Sequence, residues 1–556
     1  MRPTPFSRTL AALVVAGLAA AACGTSSTGG NSGGLAADQT LRFPIIDDIA
    51  TMDPAHIILP TDVTIQANLF DGLYKFDKDL KEVPDIATDM PEVSSDAMTY
   101  TFHLRHDVKF SNGDPVTAQD FIYSWTRTAA ANDSYSGVFD AVQGYDALTA
   151  SPPTGTALTG LSAPDPYTLV AKLTHPEGYF LTELGEWAAV VIDQKVVKAQ
   201  GEDTWWTTPQ GLIGTGPFKM TQRTPKASMD FEPVANWWGG STGALKHIHI
   251  DIVKDQTSQV KKYESGGYES VGPAYNYPDI DDMLRYKSDP TLSSQLTVKP
   301  FARTFWLAFN FKNGPFAGLD AGKLGREAFS ISIDRNQLVD IACGHALQCD
   351  PATGGVITKG LQGYLGDGAD PNAKFDPAKA KADLQQWDPT GSKTHGLVFF
   401  YSTDQRLQAI AENLQSQWKQ NLGVTVQLQS TDFPTFNKQV RSQTFAMFKQ
   451  SWTADYDHPQ DWFDYLFSCS NARPGTTNAA AVCDPRIDTL VKQADVESLD
   501  QGLPNYTQAN QLLVQDVATA PLIYDKRPFI TKPYVKGVGA NALFDYPWTG
   551  VSILQH

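Results

Sequence analysis

The sequence predicts an α/β protein of more than one domain, and three observations support that reading. Apolar residues recur with period two in some stretches and with the helical period of 3.6 in others. At 556 residues, 42% hydrophobic and 19% charged, the chain can bury substantial cores and exceeds what one core usually serves. One stretch reads strand, helix, strand, which implies a parallel pair joined by a crossover helix.

In chain order, Arg2 and Arg8 precede an uncharged apolar run from Leu10 to Ala22 that ends at Cys23. A hydrocarbon core takes about 20 residues to cross and this run is shorter, so residues 1–22 are expected to be a cleaved secretory signal. Ala20, Ala21, Ala22 and Cys23 resemble the lipobox of bacterial lipoproteins, with Ala20 where Leu is usual. The resemblance implies a diacylglycerol on the Cys23 thiol. The Gly/Ser/Thr-rich residues that follow make 23–37 a lipid-anchored flexible linker, and the folded part is expected to begin near Asp38, the first acidic residue.

Tyr100, Phe102 and Leu104 then alternate with Thr101, His103 and Arg105 as a half-buried strand, and Ser111 to Asp114 turns the chain. Thr117 offers an N-cap, with Asp120 in the first turn, for a helix bearing Phe121, Ile122 and Trp125. His247, His249 and Asp251 share one strand face, with Ile248, Ile250 and Ile252 on the other. Such spacing can hold a transition metal, but alternation alone accounts for it, so the reading is a solvent-facing polar edge and no metal. Leu397 to Tyr401 is a continuous apolar strand; Leu407, Ile410, Leu414 and Trp418 follow at helical spacing; Gly423 stops that helix; and Val424, Val426 and Leu428 alternate as the next strand. Parallel units of this kind commonly place ligands at the carboxyl ends of their strands.

A formal charge of −17 argues against nucleic acid as a partner. Beyond Cys23 four cysteines remain. Three pairings exist, and an oxidising compartment with the short separations favours Cys343 with Cys349 and Cys469 with Cys483. There is no His-Glu-x-x-His, and no Gly-x-Ser-x-Gly joins a strand to a helix as a nucleophile elbow. Gly214, Gly216 and Pro217 form a turn and not a phosphate loop. Nothing here asks for a reaction or a cofactor.

Tyr100 to Arg105, Val108 to Phe110, Gly113 to Ala118 and Asp120 to Trp125 together resemble the most recognisable block of extracellular solute-binding protein family 5, the oligopeptide- and dipeptide-binding proteins of ABC importers. Further matches keep the family's order: Leu69 to Leu73, Gly214 to Phe218, Asn236 to Trp238, Phe309-Asn310 with Pro315-Phe316, Ile333 to Arg335, Asp376 to Ala380, Asn421 to Gly423, and Trp452 to Tyr456 before Pro459. The resemblance implies a three-lobed periplasmic-binding-protein-like fold, with hinged domains around a ligand cleft. Domain I would comprise 38–77, 211–303 and 527–556, domain II 78–210, and domain III 304–526, the last closing over the ligand.

Residue by residue, the resemblance places Asp455 against a peptide's α-ammonium and Trp452 beside the ligand. It sets Lys449 to meet the carboxylate, Phe433 to line the pocket where relatives often have Trp, and Tyr135 in the cleft. Each has a plainer alternative: Asp455 as a solvated loop acid, Trp452 and Phe433 as core aromatics, Lys449 as a surface lysine. The expected partners are a peptide, the permease subunits of an ABC importer and, through the anchor, the membrane, the protein acting as a monomer on the extracytoplasmic face. The competing readings are the same role for a metal complex, sugar or other amine, a surface receptor or adhesin, and a secreted enzyme.

Overall fold

The computed structural model describes residues 34–539, 541–544 and 546–556. The expected signal segment, Cys23 and most of the expected linker lie outside the described residues. The backbone is already paired ahead of Asp38: Leu35 bridges Leu554, and Ala36 N–H donates to the Ile553 carbonyl at 2.8 Å. The folded chain thus includes the end of the expected linker, because the C-terminal residues offer it a strand edge.

Three sheets organise the molecule. A four-stranded sheet runs Thr40–Ile45, His247–Ile252, Ser228–Pro233, Phe218–Thr224; the first pair is parallel and the others antiparallel. Period-two alternation turns Leu41, Phe43, Ile248, Ile250 and Phe231 inward, onto Tyr546 and Trp548 from the C-terminal segment. The second sheet, Glu92–Val93, Thr99–His103, Thr168–Lys172, Leu161–Asp165, is antiparallel. The helix Ala118–Ala131 packs with it through Trp125, which meets Phe102, Phe139 and its own helix's Phe121. Thr117 is the expected N-cap, and with Asp120 it forms a capping box.

The third and largest sheet is ordered Ser270–Val271, Thr519–Thr531, Leu296–Phe309, Met447–Thr453, Val398–Ser402, Gln427–Thr431, with Cys349–Pro351 also on Thr519–Thr531. Val398–Ser402 pairs in parallel with both of its neighbours. The helix Gln405–Leu422 provides the crossover; Asp404 caps it by accepting from Leu407 N–H, and Gly423, at φ 75°, ends it in the left-handed region. The strand after it is Gln427–Thr431, three residues later than expected from Val424, Val426 and Leu428. Val424 and Val426 are buried under the returning turn, and parallel pairing starts only at Gln427, opposite Val398.

Two strands of this sheet are unusually long. Leu296–Phe309 and Thr519–Thr531 pair along most of their lengths, but the register slips between Pro300 and Thr304. Both expected disulfide pairs, Cys343–Cys349 and Cys469–Cys483, are bonded. Among the described residues no helix is long and apolar enough to cross a membrane.

Candidate ligand cleft

The strand Met447–Thr453 lies inside the large sheet, between Leu296–Phe309 and Val398–Ser402, so its backbone is fixed from both sides. Its far end runs directly into Ala454, Asp455 and Tyr456, all buried. Beside these residues opens a cavity of about 460 Å³, walled on other sides by Pro60, Tyr135, Trp187 and Phe544. The five side chains singled out in the sequence, Tyr135, Phe433, Lys449, Trp452 and Asp455, all line it. A second cavity of about 520 Å³ continues past Arg303, Phe433 and Lys449, which line both, toward Asp404 and Arg406.

One pole of the cleft is acidic. Asp455 is 6% exposed and accepts a hydrogen bond from the Tyr135 hydroxyl at 3.2 Å. Behind it Asp461, fully buried, accepts from the Trp452 indole N–H at 3.0 Å. Burial pushes the Asp455 carboxyl up to about 7. Burial, and then the charge of Asp455, hold Asp461 and Glu186 well above the usual carboxylate range. Glu186 Oε2 and Asp461 Oδ1 are buried with no hydrogen-bond partner. A cationic group brought among these acids would offset both their burial and their mutual repulsion.

The other pole is basic. Lys449 is buried, with its ammonium 4.9 Å from the Phe305 ring centroid and 5.7 Å from that of Phe436. Burial, and then the nearby charge of Arg303, bring its pKa down to about 7. Arg303 Nε, buried and without a hydrogen-bond acceptor, makes only a long ion pair with Asp525 at 3.8 Å, and Arg406 pairs with the same Asp525. Between the poles the walls are aromatic: Trp187 packs edge-on to Tyr135 at 4.6 Å, and Tyr465 stacks on Trp452 at 5.7 Å.

Phe433 sits differently from the rest. It begins the helix Phe433–Val440, capped by Asp432, and is 53% exposed at the junction of the two cavities. Sequence reasoning passed over Trp187, Arg303, Arg406 and Tyr465. The only signal for Arg303 was an arginine inside a largely apolar strand, Phe301 to Phe309; Trp187 comes from a segment distant in the chain.

A cleft with acidic and basic poles and aromatic walls, built where several segments distant in the chain meet, is the form of a solute-binding site. Residues 81–474 match the model of the bacterial extracellular solute-binding proteins, family 5 (Middle). The chain belongs to that family. It is 26% identical over 512 residues to the periplasmic murein peptide-binding protein MppA of Escherichia coli K12, covering 91% of each chain. It is also 26% identical over 536 residues to the periplasmic oligopeptide-binding protein OppA of the same strain, covering 94% of each. The solved structure of the Escherichia coli murein tripeptide-binding protein MppA superposes with a TM-score of 0.76 at 25% identity, over 94% of this chain and all of that one.

Proposed function

We propose that this protein captures peptides outside the cytoplasm and hands them, chemically unchanged, to an ABC import permease. The observation behind this reading is the dipolar cleft. Asp455 at one pole, and Lys449 with Arg303 at the other, match the ammonium and carboxylate of one extended peptide. Peptide-binding relatives of similar length over nearly the whole chain point the same way. A sugar would leave both poles uncompensated, and burying unpaired charge is costly.

The same reading divides the chain into domain I (38–77, 211–303, 527–556), domain II (78–210) and domain III (304–526). The register slip between Pro300 and Thr304 falls beside two of those boundaries and makes the paired long strands a natural hinge. Anchoring through Cys23 would hold the protein at the membrane surface, since a diacylglycerol supplies the two chains that stable anchoring takes. The test is native mass spectrometry of protein purified without refolding. A retained peptide supports the reading; a bound metal complex or sugar, or a peptide that returns cleaved, overturns it.

A further inference from the structure

In the four-stranded sheet, away from the cleft, His247, His249 and Asp251 lie on the face opposite the buried Ile248 and Ile250. Alternation within one strand accounts for that much without an ion. Cross-strand pairing adds what a single strand could not reveal: Asp230 is the register partner of His249. His247 Nε2 stands 2.8 Å, and His249 Nδ1 2.7 Å, from the same Oδ1 of Asp230. Among the described residues this is the one group of three or more His, Cys, Asp or Glu side chains whose ligand atoms gather within 4.8 Å.

The hydrogen count makes the group unusual. His249 faces a carboxylate on both ring nitrogens, because Nε2 lies 3.1 Å from Asp251 Oδ1. A neutral imidazole has only one N–H. When Nε2–H is donated to Asp251, Nδ1 points a lone pair at an Asp230 oxygen that has only lone pairs to offer. Two acceptors at 2.7 Å need a cation between them, or a second proton on the ring.

Asp251 is itself held in place. Its Oδ2 accepts from Lys262 Nζ at 2.5 Å and from the Tyr268 hydroxyl at 2.9 Å. A carboxylate fixed behind a histidine is how proteins orient metal-binding imidazoles. The surrounding charge also favours a cation. Asp230, Asp251, Asp38 and Glu269 stand against Lys262 and Arg42, and Arg42 is already paired with Asp38 and Glu269. Both histidines keep about a third of their side-chain surface open to solvent, so an ion can enter.

We infer that this face binds one divalent late transition metal ion through His247 Nε2, His249 Nδ1 and Asp230, with Asp251 orienting His249 and water completing the coordination. The ion would bridge the strands His247–Ile252 and Ser228–Pro233. None of the three ligands lines the cleft, so the site neither needs nor replaces the peptide.

The experiment is calorimetry of untagged, metal-stripped full-length protein with ZnCl₂ at pH 7.5, with CoCl₂ absorbance as the spectroscopic check. One ion per chain is expected in the wild type. Binding should weaken at least tenfold in His247→Ala and in His249→Ala, and about tenfold or more in Asp251→Asn, which removes only the orienting carboxylate. Because an alanine could loosen the sheet, His247→Gln/His249→Gln is measured alongside, with circular dichroism and peptide affinity as controls of folding. If the wild type binds no stoichiometric Zn²⁺, or if the folded double variant binds it as well as the wild type, the inference is wrong. Either failure leaves the peptide-binding reading intact.

Discussion

Asp455 and Lys449 should give ligand affinity a bell-shaped dependence on pH. In the closed cleft without ligand the Asp455 carboxyl is pushed up to about 7, so below that pH seating an ammonium there must expel a proton. Affinity should fall by up to about tenfold per unit as the pH drops below 7. Lys449 works in the opposite sense. Its pKa is lowered to about 7, so above that pH it must take up a proton to meet the ligand carboxylate, and affinity falls again. Calorimetry from pH 5 to 9 should place the maximum near 7. Asp455→Asn should flatten the acid limb, and Lys449→Gln should leave only a later alkaline fall, near pH 8, from the peptide's own amine. At pH 7, Asp455→Asn should cost about 2–5 kcal/mol of binding, because it leaves the ligand ammonium buried without its partner. N-acetylated peptide should lose little more against that variant, since both changes delete one ion pair; additive losses would place Asp455 in the scaffold. The resemblance pointed to these two residues because they sit in a contiguous motif. Arg303 and Trp187 were not legible, since what makes them part of the cleft is a fold that brings segments more than a hundred residues apart together.

At the level of elements, period and capping were legible and pairing was not. Thr117 with Asp120, and Gly423, mark helix ends through local chemistry, and the structure uses each as such. The strand after Gly423 begins three residues late because Val424 and Val426 alternate for burial beneath a turn, and alternation alone does not tell a turn's core from a ladder. Similarly, nothing in the strand His247–Ile252 discloses that Asp230 lies opposite His249. The segment closed by Cys469 and Cys483 joins stability to binding, because Thr477 and Ala479 within it line the cleft. A closed loop of this length contributes about 3 kcal/mol by restricting the unfolded chain. Cys469→Ala/Cys483→Ala should therefore lower the urea midpoint by the equivalent amount and also weaken peptide capture, by loosening one wall of the site. Unchanged affinity at reduced stability would show that the wall is held by its packing and not by the bridge.

At the level of the whole molecule, the cleft is closed by contacts between segments that the proposed domains assign to different lobes. The Tyr135 hydroxyl reaches Asp455, and Gly178 N–H donates to the Asp495 carbonyl at 2.6 Å. Around these contacts acids crowd from both sides, Glu177 and Glu183 against Asp464 and Asp495. Burial first, and then neighbouring carboxylates, push Glu177 and Asp495 up to about 8 and Asp464 to about 6. Closing the lobes at pH 8 therefore means burying negative charges side by side, whereas at pH 5 the same groups carry protons and closing meets no such opposition. The sign follows directly: groups raised in the closed form favour it as the pH falls, and that preference fades as the pH rises through their closed-state values. A peptide ammonium at Asp455 offsets part of the same repulsion. Small-angle scattering at pH 8 and pH 5, with and without the retained peptide, separates the two effects. The radius of gyration should shrink on adding peptide at pH 8 and on acidification without peptide, and adding peptide at pH 5 should then change it little. If peptide leaves it unchanged at pH 8, the lobes do not close on their ligand. If acid alone leaves it unchanged while peptide contracts it, the acids at the lobe interface do not set the balance between open and closed forms, and the ion pair at Asp455 governs closure by itself.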